Sequence, residues 1–279
     1  MQNFYVTKAD GTSEIFREEK LIDSLVRAGA KREIAEQITT DVIETAVSGV
    51  STSEIYKTAF RELRREHRPT AARYSLRRAL FDLGPTGFPF EDFVAALFKK
   101  MGYKVRLRQV VPGKCINHEL DVVATKDGEC VAIEVKFHNS PGFKTNVRTA
   151  LYVQARMEDI FAKRDEDPKS CPVNRPLLLT NTKFTKNAVE YASCVGLDML
   201  GWRYPEKDSL LDLITEYDVY PITALTTLSR SQKQSLITKG IILCEELERN
   251  KEALIDLGLS RDHVSEILQE AKGLSTMPI

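Results

Sequence analysis

The chain is poor in the residues that build cross-links and metal ribbons. Its 279 residues include five Cys, at 115, 130, 171, 194 and 244, and no two of them form a CxxC pair. The four His, at 67, 118, 138 and 263, form no HxxxH pair. A disulfide framework and a zinc ribbon are therefore not expected, and a reducing cytoplasm is the expected compartment. Long apolar runs are missing as well. None approaches the roughly 20 residues that span a bilayer, so no membrane partner is expected. The start, Met1 to Lys8, lacks the basic-then-apolar order of a signal peptide. Nor is there an excess of one charge, since 40 Lys and Arg meet 40 Asp and Glu. That balance argues against a uniformly basic nucleic-acid coat and leaves room for a local basic face. Repeats and low-complexity tracts are also lacking.

What is present is 42% hydrophobic and 29% charged, enough apolar surface to build cores. The length suits two or three domains, and punctuation divides it. Leu83 to Pro89 holds two Gly and two Pro in seven residues, the clearest boundary. Three domains are expected, over residues 1–84, 88–225 and 226–279. The first reads as a β-hairpin turning at Ala9-Asp10-Gly11, followed by four helical stretches. Ser51 or Thr52 caps the third stretch and Pro69 opens the fourth. The second reads as helix, three strands, helix, strand, helix, strand, an α/β layout with a mixed sheet. The third carries only helical signals, with breaks at Lys239-Gly240 and Leu257-Gly258 and apolar stripes between, among them Ile241 to Leu247.

The chemistry concentrates in the middle domain. Leu120 to Thr125 and Val131 to Phe137 read as neighbouring strands joined by an Asp127-Gly128 turn. Side chains alternate along a strand, so Glu134 and Lys136 share one face, and Asp121 reaches the same place from the next strand. Two adjacent carboxylates are costly without a cation between them. Hard oxygen ligands suit Mg²⁺ or Mn²⁺, and a neighbouring Lys can orient water and offset phosphate charge. A solvated sheet face and a non-cleaving fold remain alternatives. Glu119 is a rival acid. His118 can contact a phosphate or order its strand. Thr180 to Thr185 can serve phosphates through Lys183 or cap a helix.

On Asp121 and Glu134-Val135-Lys136 the segment 88–204 resembles the PD-(D/E)XK restriction-endonuclease-like superfamily. It is most similar to Holliday-junction resolvases and modification-dependent restriction enzymes. Leu120 stands where the family often has Pro. The resemblance implies a metal-dependent endonuclease acting on DNA, with Asp121, Glu134 and Glu91 as metal ligands. It implies Lys136 as the water-activating residue and Gln154 as a polar residue near the site. Val6-Thr7-Lys8-Ala9-Asp10-Gly11, then Glu14, Phe16 and Lys20, resemble the ATP-cone, a nucleotide-binding regulatory domain. That resemblance implies ATP or dATP as regulatory ligand, with Lys8 and Lys20 on phosphates and Asp10 and Gly11 shaping the turn. Ala9 stands where a second basic residue is frequent. The last segment loosely resembles helix-hairpin-helix units. It carries seven basic and eight acidic residues, so DNA binding and a packing role both stay open. The segment Lys57 to Arg78, with eight basic residues against two acidic, could serve nucleotide, DNA or solvent alone. The expectation is a nucleotide-regulated endonuclease, as a homo-oligomer. The alternatives are a nucleotide-sensing DNA-binding regulator and a helical adaptor.

Overall fold

The computed structural model describes residues 4–8, 11–167 and 172–275. The chain forms two compact units: Met1–Leu80 with Tyr220–Ile279, and Phe81–Val219. The multidomain layout expected from the pattern is present: an N-terminal hairpin with helices, a central mixed sheet and C-terminal helices. The C-terminal segment shares a unit with the N-terminal one.

In the first unit the hairpin is β1 (Tyr5–Thr7) with β2 (Ser13–Ile15), paired antiparallel. The expected Ala9-Asp10 part of its turn lies outside the described residues, and Gly11 follows with φ of 81°. Helices α1 (Glu18–Arg27), α2 (Arg32–Thr45) and α3 (Thr52–Glu66) bury the predicted stripes in one cluster around Leu25, Ile38 and Leu63. The cap of α3 is Ser51. Its hydroxyl accepts from the Glu54 amide at 3.1 Å, and Glu54 accepts from the Ser51 amide at 3.0 Å. The fourth stretch is two helices, α4 (Arg68–Tyr74) and α5 (Leu76–Phe81).

The second unit opens with α6 (Phe88–Lys100). Strands β3 (Lys104–Pro112), β4 (Asn117–Lys126) and β5 (Glu129–Lys136) form an antiparallel meander. A short β6 (Lys144–Thr145) precedes the long α7 (Val147–Glu166). Then come β7 (Arg175–Thr180), β8 (Lys183–Phe184), α8 (Lys186–Val195), β9 (Asp198–Leu200) and α9 (Leu210–Glu216). The sheet order is β3-β4-β5-β7-β9, with β5, β7 and β9 parallel. The central β5 is buried along most of its length, which is why it reads as a near-continuous apolar run. Helix α7 packs Val153, Met157 and Ile160 onto one face of the sheet.

The remaining elements return to the first unit: α10 (Arg230–Thr238), α11 (Lys251–Ile255) and α12 (Arg261–Ser275). The helix expected over Ile241 to Leu247 does not form. The Ile222 amide donates to the Ile242 carbonyl and the Cys244 amide to the Tyr220 carbonyl, both at 2.8 Å. These bonds hold the segment extended before a single 3₁₀ turn at Cys244–Glu246. Ile241 to Cys244 are all buried in succession, an apolar run without helical period. Within the unit, buried Arg73 of α4 donates to the Leu274 carbonyl of α12 at 2.7 Å and lies over the Tyr220 ring. Arg68 pairs with Glu266 of α12 at the surface at 3.3 Å, so two members of the basic segment are engaged within the unit. Among the described residues, no helix is long and apolar enough to cross a membrane.

His118 takes the ordering role. Its Nε2 meets Asp159 of α7 at 2.8 Å. The amides of Cys115 and Ile116 also donate to Asp159, at 2.9 and 3.3 Å. These bonds, that of His118 first, hold the Asp159 carboxyl down to about 2. A depressed carboxyl stabilises the fold above the ordinary carboxylate range and loses that contribution as pH falls toward 2. Gly113 leaves the room this carboxylate needs. A Cβ there would collide with Asp159 and stand 2.5 Å from the Ile116 carbonyl oxygen. Gly113→Ala is therefore expected to lower unfolding free energy by about 1–3 kcal/mol, read as a reduced urea midpoint.

Candidate active site and nucleotide cavity

The ladder between β4 and β5 pairs Val122 with Ile133. One residue further along the antiparallel register, Asp121 stands beside Glu134. The Val135 amide donates to Asp121 Oδ2 at 2.7 Å, which fixes the carboxylate at the strand edge. Burial raises the Asp121 carboxyl above its ordinary range, against the pull of the Val135 amide and of the Arg156 and Lys136 charges. Burial raises Glu134 as well, and the Asp121 charge adds to it. Lys136 is exposed at the end of β5, close enough for its charge to lower both carboxyls. The three residues of the predicted motif are thus together.

Two further expectations end differently. Glu91, on the first turn of α6, feels the Asp121 charge and is raised chiefly by burial. However, its carboxylate is engaged by Arg108 at 3.1 Å, and the same guanidinium holds Asp92 at 3.0 Å. Among the described residues no three His, Cys, Asp or Glu side chains converge as a ready metal cage. Asp121 and Glu134 thus lie on neighbouring strands, and Glu91 stands near Asp121 in a pair with Arg108. Gln154 of α7 donates to Glu158 one turn on, at 3.1 Å, rather than to either acid.

Arg108 reaches this place through an unusual backbone. The β3–β4 register runs from Leu107 opposite Val122 to Gln109 opposite Leu120, and Arg108 between them, across from Asp121, is unpaired in the ladder. Its φ is +51°, left-handed for a long side chain, at a cost of about 1–3 kcal/mol. The twist turns the guanidinium out of the sheet toward α6.

Arg156, which the sequence pattern did not flag, is the closest cation to the pair. From α7 it donates to the Glu134 carboxylate and to the Glu119 carbonyl. Both partners of the ion pair are nearly buried, at 10% and 11% exposure. The signal was available as Arg156 two positions beyond Gln154 on a helix already placed against the sheet. Helical spacing alone does not say which polar residue meets β5. Glu119 contributes its backbone to this contact.

The ends of β5 and β7 are tied by buried polar groups. Asn181 accepts from the His138 amide at 2.9 Å and donates to the His138 carbonyl at 2.8 Å. Thr180 donates to the Lys136 carbonyl at 2.8 Å. Thr180, Asn181 and Thr182 are wholly buried, so they are unavailable to phosphates, and Thr185 caps α8.

The first unit holds a cavity of about 220 Å³ between the hairpin and the helices, lined by Glu14, Phe16, Lys20, Thr52, Tyr56 and Tyr74 among others. Lys8 pairs with Glu14 at 2.7 Å and Lys20 with Glu14 at 3.6 Å. The Lys8 bond, with both positive charges, lowers the Glu14 carboxyl. Tyr56 and Tyr74 stack with centroids 5.2 Å apart, and burial pushes the Tyr74 phenol up. Lys8 and Lys20 thus meet through Glu14 at the cavity. Gly11 belongs to the adjoining turn, while Asp10 lies outside the described residues.

Comparison with known proteins agrees with the domain layout. Residues 4–82 match the ATP cone domain, residues 85–199 a restriction endonuclease domain, and residues 220–275 the AF1548-like C-terminal domain. An uncharacterized protein of Archaeoglobus fulgidus is 35% identical over 180 residues, covering 64% of this chain and 98% of that protein. The crystal structure of a protein of unknown function, AF1548, is 34% identical, with a TM-score of 0.54. It covers 68% of this chain and 98% of its own. The expected fusion of an ATP-cone with a restriction-endonuclease-like domain is present.

The raised carboxyls generate a pH signature. A carboxyl whose folded value lies above its unfolded one favours the fold while protonated, and it costs stability as pH rises through the folded value. Asp121→Asn keeps an acceptor for the Val135 amide and removes the charge. Without divalent ions, this variant is expected to melt above the parent at pH 8. The gap should close toward pH 4, followed by thermal denaturation across that range.

Proposed function

This chain belongs to the AF1548-like family, and we propose that it is a metal-dependent DNA endonuclease regulated by ATP or dATP at its ATP-cone. The observation that carries the reading is the pair Asp121 and Glu134, half-buried side by side on neighbouring strands, with Lys136 two residues on along the same face. Burial raises both carboxyls, and the Asp121 charge raises Glu134 further, so a cation between them would relieve a cost the fold carries. Two carboxylates with space for water suit Mg²⁺ or Mn²⁺, which bind few protein ligands and keep several waters.

In this reading Asp121 and Glu134 hold the ion, which would supply positive charge to the scissile phosphate and acidity to the attacking water. Lys136, exposed at the strand end, positions that water and balances charge on the phosphate. The Val135 amide keeps Asp121 aimed at the site. Arg156 neutralises Glu134 from the helix side. Arg108 keeps Glu91 and Asp92 in place at the rim. In the first unit, Lys8 and Lys20 would exchange Glu14 for nucleotide phosphates, with Phe16, Tyr56 and Tyr74 as apolar walls. Asp10 and Gly11 would shape the turn beside them.

One observation favours a second reading. The Glu134 carboxylate already has a buried cationic partner in Arg156, as a nucleotide-sensing DNA-binding regulator that no longer cuts would have.

Supercoiled plasmid separates the two. With Mn²⁺ or Mg²⁺ the protein is expected to nick or linearise it, and Glu134→Ala is expected to abolish cutting. Lys136→Ala should slow cutting by about 100-fold or more with unchanged thermal stability. Binding without cutting, under both metals and with or without ATP, would move the regulator reading ahead. For the cone, Lys20→Ala is expected to weaken ATP binding by about tenfold in isothermal titration, on the order of 1–2 kcal/mol for a lost charge-assisted contact. Equal affinity in parent and variant would remove Lys20 from the phosphate site.

A further inference from the structure

Exposed aromatic rings are few in the second unit. Among its described residues only Phe88, Phe143 and Tyr152 are both aromatic and exposed, at 57%, 63% and 59%. Single exposed rings are ordinary on a surface. Their shared placement is the informative feature. Tyr152 lies under the Arg156 guanidinium, 5.3 Å from the ring centre, and Arg156 bonds Glu134. Phe88 lies under Arg108 at 4.9 Å, and Arg108 holds Glu91, which feels the Asp121 charge. Phe143 stacks on His138 with centroids 6.0 Å apart and planes 3° apart. His138 in turn feels the Lys136 charge, after the larger effect of its own burial. Each ring is thus one side chain removed from a site residue, and two of the three rest on an Arg.

An exposed ring packed on a neighbouring cation, as Tyr152 is, or on a second ring, as Phe143 is, makes a stacking platform for a nucleobase beside a bound phosphate. Bases inside a duplex have their faces covered by their neighbours, so such a platform can be used only by a base that has left the stack. We infer that the site binds DNA with unpaired bases flanking the scissile phosphate, and that Phe143 and Tyr152 stack on those bases. This rests on the nuclease reading for the nature of the ligand and goes beyond it in naming the substrate class: a bubble, gap or single-stranded branch rather than intact duplex. Stacking on one ring changes affinity by roughly fivefold to a hundredfold per base.

The test uses the full chain carrying Glu134→Gln to prevent cutting, with Ca²⁺ as the divalent ion. The probes are a duplex and the same duplex with a central unpaired bubble, each with 2-aminopurine at the bubble position. The expected result is binding of the bubble about tenfold tighter than the duplex, with the 2-aminopurine emission quenched on binding. Adding Phe143→Leu and Tyr152→Leu should erase both preference and quenching while leaving duplex affinity as it was. Both positions are exposed, so the fold tolerates the change. Equal affinity for the two probes overturns the inference, and so does a preference that survives the leucine substitutions. A Phe143- and Tyr152-dependent dimer in sedimentation, in which the rings cover one another, also overturns it. The parent protein with Mn²⁺ distinguishes the two levels of the argument. Preferred binding of the bubble without cutting supports the stacking site and counts against the nuclease. Cutting both probes equally supports the nuclease and counts against the stacking site.

Discussion

The second unit is organised around two like charges placed side by side in a half-buried position. Asp121 and Glu134 arrive there because two antiparallel strands share a register, and neither can move away without breaking the ladder that buries Val122 and Ile133. Their mutual repulsion and their desolvation are cost terms that the surroundings offset piecemeal: one backbone amide on Asp121, one guanidinium on Glu134, and the charge of Lys136 at the strand end. Removing one partner of such an arrangement costs more than never having built it, because a buried charge is then left without compensation. Perturbed carboxyls of this kind concentrate at functional sites.

The surroundings make the placement rigid. Strand β5 ends at Lys136, where a solvent-exposed strand end would fray. Thr180 bonds the Lys136 carbonyl and Asn181 clamps both backbone groups of His138. These buried polar groups are satisfied, which fixes the position of the lysine's backbone. Across the sheet the left-handed Arg108 does the opposite kind of work, spending backbone strain to bring a cation to the carboxylates of α6. Strained backbone at Arg108, across from Asp121, and fully bonded backbone from Lys136, two residues beyond Glu134, flank the acids, a pattern found where geometry is held for chemistry.

In the first unit, the helix that lines the cavity with Tyr74 also carries Arg73, one residue earlier, into the contact with α12. A ligand that displaced Tyr74 would therefore act on the element that anchors the C-terminal helix. The near balance of charge in that C-terminal segment, seven basic against eight acidic residues, matches its packing against α4.

Much of this was legible before any coordinates. Strand alternation placed Glu134 and Lys136 on one face, and the Asp127-Gly128 turn placed Asp121 on the neighbouring strand, because both rules are local and depend on two or ten residues at a time. The cap at Ser51 or Thr52 and the breaks at Gly240 and Gly258 are local in the same sense. What sequence could not decide is long-range. Arg156 meets Glu134 across 22 positions, and helical period cannot choose between Gln154 and Arg156 until α7 is rotated onto the sheet. Glu91 has the right place in the first turn of α6, yet its partner is an Arg whose left-handed backbone no periodicity announces. The run Ile241 to Leu247 is apolar enough for a helix and is held extended by bonds to Tyr220 and Ile222. The sequence by itself determined that Asp121, Glu134 and Lys136 lie on neighbouring strands and can share one face. The tertiary structure alone decided which cation neutralises which acid, because charge pairing at a few ångströms is set by how whole elements pack.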